Sequence, residues 1–248
     1  MPAAVALPAG SCRRRADGGP AGRGDTQAIV IDRGVIQQRA PERRHVRDDE
    51  CVGGGDPADC YRRLIAAEPP APGVIAGLGE SGTTADADLI TPWLTHPNTR
   101  GRVAAVRALR RFGTGPVVAL AARLTDPAPA VVRHAAAALS ERAAEIDKDE
   151  LEALLQPEQP PRVRMAAFRI CAARDPWTRL TVSPRLLHDA DEGLRATAAR
   201  EVRNWPGHGR LRPVDPRLVP ELDALLVMAV PVLGKPLADL IRFQARLG

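Results

Sequence analysis

Aromatic residues make up only 3% of this 248-residue chain. No apolar run in it approaches the roughly 20 residues that a membrane-spanning helix needs. Lysine is nearly missing as well: of 35 basic residues only Lys148 and Lys235 are lysines, and the others are arginines. The four cysteines, Cys12, Cys51, Cys60 and Cys171, are scattered, with no CxxC pair and no secreted-type framework. Histidines stand at 45, 96, 134, 188 and 208, and none is followed by glutamate. Arg13–Arg15 follow a short Ala/Val/Leu stretch, the reverse of the order in a secretory signal, so a cytoplasmic location is expected.

What remains is a core built without large rings. Apolar residues reach 44%, mostly Ala, Leu and Val, which suits closely packed helices better than a sheet. The net charge of +5 and pI near 9.5 give a mild positive bias. Arginine, alanine, glycine and proline are together the residues that a GC-rich genome favours. The basic pI is therefore not taken as evidence for nucleic acid.

A fixed period organises the middle of the chain. Arg102, Arg133, Arg164 and Arg195 are spaced 31 residues apart, and each is followed three residues later by Ala105, Ala136, Ala167 or Ala198. Self-similarity at such a period marks stacked repeats. Gly101, Val132, Val163 and Leu194 stand at position 1 of a recurring helix, here B, and positions 1, 5, 8 and 12 share one face at about 100° per residue. Upstream, Leu89/Trp93, Leu120/Leu124, Leu151/Leu155 and Val182/Leu186 mark the core pair of a shorter helix A. Turn residues lie between A and B, so each unit reads as a helical hairpin. The period reaches back to Leu78 and Gly82 and fades after Trp205.

Three segments follow. Residues 1–55 are rich in Gly, Pro, Arg and Asp. Two readings stay open for them: a disordered tail, or residues added by an over-extended start. Residues 56–205 carry the repeats, and 206–248 read as capping helices, since the last unit of a stack must cover an exposed core end.

The Val-Arg-x-Ala-Ala start of helix B, VRHAA at 132–136 and VRMAA at 163–167, resembles the HEAT repeat family, and its short bacterial, phycobilin-lyase-like form in particular. The resemblance implies an all-α, right-handed superhelix of about five hairpins, with the B helices lining a concave surface. It also implies a ladder in which turn aspartates, here Asp126 and Asp189, pair with the helix-B arginines Arg102, Arg133, Arg164 and Arg195. The turns at 95–97 and 157–159 lack the aspartate, so the ladder is expected to be incomplete.

Catalytic motifs are thin. Gly77–Gly82 fits GxGxxG, but the repeat register places Leu78 on a core position and Gly82 at a helix end, not in a phosphate-binding turn. HEAT-type hydroxylases hold iron through His-Glu pairs, which are missing here. Trp93, Trp177 and Trp205 fall on core or capping positions, not on a base-stacking face. No cofactor, metal or catalytic set is expected.

Positions 3, 7, 10 and 14 of helix B remain as a surface, with position 11 flanking the row. They carry His134; Arg107, Arg169 and Arg200; Arg110 and Arg203; Arg111 and Arg142. In one reading these are solvated arginines, some paired with Glu141 or Glu201. In the other they form a positive strip for an acidic protein segment or a phosphate backbone. The expectation is a non-enzymatic interaction scaffold with an acidic protein partner. A nucleic-acid binder is the alternative, a lyase- or glycosylase-like enzyme a weaker one, and no membrane is involved.

Overall fold

The computed structural model describes residues 56–66, 69–208 and 216–245, and the expectation for residues 1–55 falls outside them. Among the described residues there are twelve α-helices and no strand. They pair as hairpins. α1 (Pro57–Leu64) precedes α2 (Pro72–Ser81), and α3 (Ala87–Ile90) precedes α4 (Thr99–Phe112). α5 (Val117–Ala121) leads to α6 (Pro129–Ser140), α7 (Lys148–Leu155) to α8 (Pro161–Arg174), and α9 (Pro176–Arg185) to α10 (Glu192–Asn204). α11 (Val219–Leu233) and α12 (Lys235–Ala245) close the chain.

Local chemistry sets the boundaries. Side chains of Asp56, Asn98, Asp147, Asp175 and Asp191 each accept a backbone N–H in the first turn of α1, α4, α7, α9 and α10. α1, α2, α6, α8 and α9 carry proline in the first turn, where a missing N–H does no harm. Gly113 ends α4 in the left-handed region at φ 66°. The first helices of three hairpins tighten into 3-10 turns, at Thr91–Thr95, Ala122–Thr125 and Leu186–His188.

The second helices α2, α4, α6 and α8 pack each on the next, and one continuous core runs from Ile65 through the hairpins to Ala229. Small residues let them approach closely. A Cβ on Gly79 would lie 2.6 Å from the Ala108 Cβ, and one on Gly77 would enter the Tyr61 ring. Both glycines lie inside α2, so the glycine run serves helix packing. A smaller core gathers Leu180, Val202, Leu222, Leu226 and Ile241 around the buried Trp205, whose indole N–H donates to the Pro176 carbonyl at 3.1 Å.

Helix A departs from expectation in one copy. Leu89 is 42% exposed and Trp93 only half-buried, while Ile90 and Leu94 fill the core instead. Leu94 precedes its arginine by 8 residues, whereas Leu124, Leu155 and Leu186 precede theirs by 9. The shorter turn rotates the first helix by one position. Cys60 is disulfide-bonded, a pairing that the scattered spacing does not predict, and Cys171 is a free, buried thiol.

Candidate functional site

The repeated arginines divide into those the fold consumes and those it leaves at the surface. Arg102 donates from Nε and Nη2 to both Asp126 carboxylate oxygens at 2.8 and 3.0 Å. Its Nη1 donates to the carbonyls of His96 and Pro97, in its own hairpin's turn, at 3.0 and 3.3 Å. Arg164 repeats the arrangement, pairing with Asp189 and donating to the Gln159 carbonyl at 3.1 Å. Arg195 donates to the carbonyls of Asp189 and Ala190 at 2.7 and 2.9 Å. Each arginine thus holds its own turn, and Arg102 and Arg164 also reach forward into the next.

The direction of the ladder differs from a pairing of each aspartate with the arginine that follows it. Asp126 meets Arg102, not Arg133, and Asp189 meets Arg164, not Arg195. Arg133 is exposed and pairs with no acid among the described residues; Pro157 stands 24 residues after it, the separation at which Arg102 meets Asp126. An unanticipated rung joins Arg62 to Asp86 at 2.7 and 3.0 Å, with the same 24-residue separation as Arg102–Asp126. His96 fills the turn position of the first full repeat. Its Nδ1 accepts the Asn98 N–H at 2.9 Å, which leaves Nε2–H to donate to the Pro70 carbonyl at 2.9 Å.

Burial alone would raise the Asp126 carboxyl, but the Arg102 guanidinium and the Ala128 N–H outweigh it and hold it below the ordinary carboxylate range. The Arg62 hydrogen bond likewise lowers Asp86, against an opposing push from burial.

On the outward side of the second helices, Arg107, Arg110, Arg111, Arg169, Arg200 and Arg203 are exposed. Three of the candidate arginines are engaged within the chain. Arg110 bridges α4 to Glu141 at 2.6 Å, Arg142 pairs with Glu145 at 2.7 Å and donates to the Gly115 carbonyl, and Arg200 lies 3.7 Å from Glu201. Arg107, Arg111, Arg169 and Arg203 make no ion pair among the described residues. Two outward positions instead turn inward: Ala138 on α6 and Ala172 on α8 are buried, since their short side chains let the neighbouring helices close over them. His134 is half-buried, and desolvation, then Arg133, Arg107 and Arg110, pushes its pKa down, so it presents a neutral ring at neutral pH.

Elsewhere, two cavities of about 410 and 420 Å³ lie between α7 and α9, both lined by Val182 and by Arg185, which pairs with Glu152 at 2.9 Å. The second mixes Lys148, Arg174 and Arg185 with Glu152, Asp175 and Glu221, so no single charge converges there. Cys171 lies beneath it, its thiol pushed up to about 11 chiefly by burial. Among the described residues, no group of three or more His, Cys, Asp or Glu side chains could hold a metal ion, and no helix is long and apolar enough to cross a membrane.

Comparison with known proteins places this geometry. Residues 87–172 match the family model of HEAT repeats. No curated protein matches the sequence. The crystal structure of an engineered protein is similar at 17% identity and a TM-score of 0.43, over 80% of this chain and 94% of its own.

Proposed function

With residues 87–172 being HEAT repeats, we propose that this chain is a non-catalytic scaffold whose second-helix face binds a protein partner of acidic character. The observation that carries this reading is the sorting of the arginines. The fold consumes Arg62, Arg102, Arg164 and Arg195 in clamps, yet leaves Arg107, Arg111, Arg169 and Arg203 exposed on one face with no acid paired to them among the described residues. Guanidinium groups without internal partners attract carboxylates from a distance and form bidentate contacts on arrival. A neutral His134 among them adds a hydrogen-bonding group without adding charge.

Affinity capture with the tagged full chain, with and without nuclease, tests the proposal. The expected result is a defined protein recovered equally in both arms and lost when Arg107→Glu and Arg169→Glu are combined. A partner retained by that double variant would sink the assignment of this face. Material that vanishes with nuclease would replace the acidic protein by a nucleic acid, whose binding should also fall steeply with salt.

A further inference from the structure

The seam between α2 and α4 differs from the one that follows it. Ala76, Gly79, Ala104 and Ala108 face each other there and leave a hollow of about 160 Å³ on the outward side. Arg107 and Arg111 stand on the α4 rim and Glu80 on the α2 rim. All three are exposed, and none makes an ion pair among the described residues. One period later, the α4–α6 seam is bridged by Arg110 and Glu141 at 2.6 Å, with Leu139 standing where α4 has Ala108. Gly79 stands where α4 has Arg110, so the α2–α4 seam lacks that bridge and stays open.

We infer that this hollow is the anchor site for an acidic peptide segment, taking one apolar side chain into the Ala/Gly floor and setting a flanking carboxylate against Arg107 and Arg111. The inference rests on the scaffold reading above and names the part of the face that recognises the partner. Two features support it. The cavity matches the size of one aliphatic side chain, and anchors that fill a small pocket carry most of the energy of an interface. The rim is also asymmetric, with both guanidinium groups on one side and one carboxylate on the other. Arg107 and Arg111 lie one helical turn apart, so both can reach one carboxylate. Glu80 repels a second carboxylate on its own side and accepts a backbone N–H instead, which fixes the direction in which the peptide lies.

The test uses the full chain and three labelled synthetic peptides: alternating glutamate–leucine, all-glutamate, and alternating glutamine–leucine. The glutamate–leucine peptide should bind best. Ala104→Leu, which fills the hollow without touching a charge, should weaken that peptide about tenfold and leave the all-glutamate peptide unchanged. Arg107→Gln with Arg111→Gln should weaken both acidic peptides, and Glu80→Gln should tighten the all-glutamate peptide. Circular dichroism establishes that each variant is folded, and Ala76→Leu fills the hollow from the opposite wall if Ala104→Leu is not. If the filled variants bind the glutamate–leucine peptide as the parent does, or if the glutamine–leucine peptide binds equally well, the anchor is wrong while the scaffold reading stands. If no acidic peptide binds and the arginine variants change nothing, both fall together.

Discussion

Arg102 and Asp126 meet across 24 residues of sequence through two parallel N–H···O bonds of 2.8 and 3.0 Å, the carboxylate buried in the turn of one hairpin and the guanidinium rooted in the helix before it. Removing the carboxylate leaves a largely buried cation facing a neutral group. Asp126→Asn should therefore destabilise the chain by about 2–4 kcal/mol in denaturant melts, the carbonyls of His96 and Pro97 limiting the damage. Supplying a carboxylate where one is lacking tests the converse. Pro157→Asp should add up to about 0.5 kcal/mol through the exposed Arg133.

Acid should act in two stages. The His134 pKa is lowered on folding, so as pH falls below about 6.5 the unfolded chain protonates first and stability drops. Asp86 and Asp126 are lowered too, so the stability they contribute is complete above about pH 4 and is lost as pH falls further. Melting temperature followed from pH 8 to pH 3 should show both stages, and His134→Gln should erase only the first.

Gly79→Ala offers a helix-propensity gain of about 1 kcal/mol that the structure refuses. The new methyl would lie 2.6 Å from the Ala108 Cβ, forcing α2 away from α4. A net loss of about 1–2 kcal/mol is expected in the same melts. A stability equal to the parent's would mean that the two helices do not touch there.

Cys171 is buried and its thiol is pushed up to about 11, so almost no thiolate exists at pH 8. Iodoacetamide should leave it unmodified in the folded chain and label it rapidly in denaturant, as read by peptide mass mapping. Rapid labelling of the native chain would show that the α8 core opens readily.

Arg107→Glu with Arg169→Glu should shift stability by less than about 0.5 kcal/mol, because neither side chain makes an ion pair among the described residues. A large loss would assign these arginines to the fold and remove them from the binding face.

The second helices were legible because their core spacing is local: Ala105, Ala136, Ala167 and Ala198 recur on one period, and all four are buried. The first helices were legible where the turn length is constant. Leu120/Leu124 and Leu151/Leu155 fill the core as the pattern implies, and the single shortened turn displaced the reading from Ile90/Leu94 to Leu89/Trp93. The Arg62–Asp86 rung shares the 24-residue separation of Arg102–Asp126, a signal visible only once the forward direction of the clamp is known. Ala138, Ala172 and Gly79 escaped for another reason. Helical phase tells which way a side chain points, and not how near the neighbouring helix comes when that side chain is small.

The open step at Arg133 also bears on how the array comes apart. Clamps tie hairpin to hairpin on either side of it, from Arg102 to Asp126 and from Arg164 to Asp189, while the junction between α6 and the α7–α8 turn is held by apolar packing and the Arg174 bonds to the carbonyls of Ala143 and Ile146. In a stack whose units feel only their neighbours, each junction contributes its own share to cooperativity. This one draws its share from packing and carbonyl bonds and not from an ion pair, so its hold should vary less with salt and acid than that of the clamped junctions on either side.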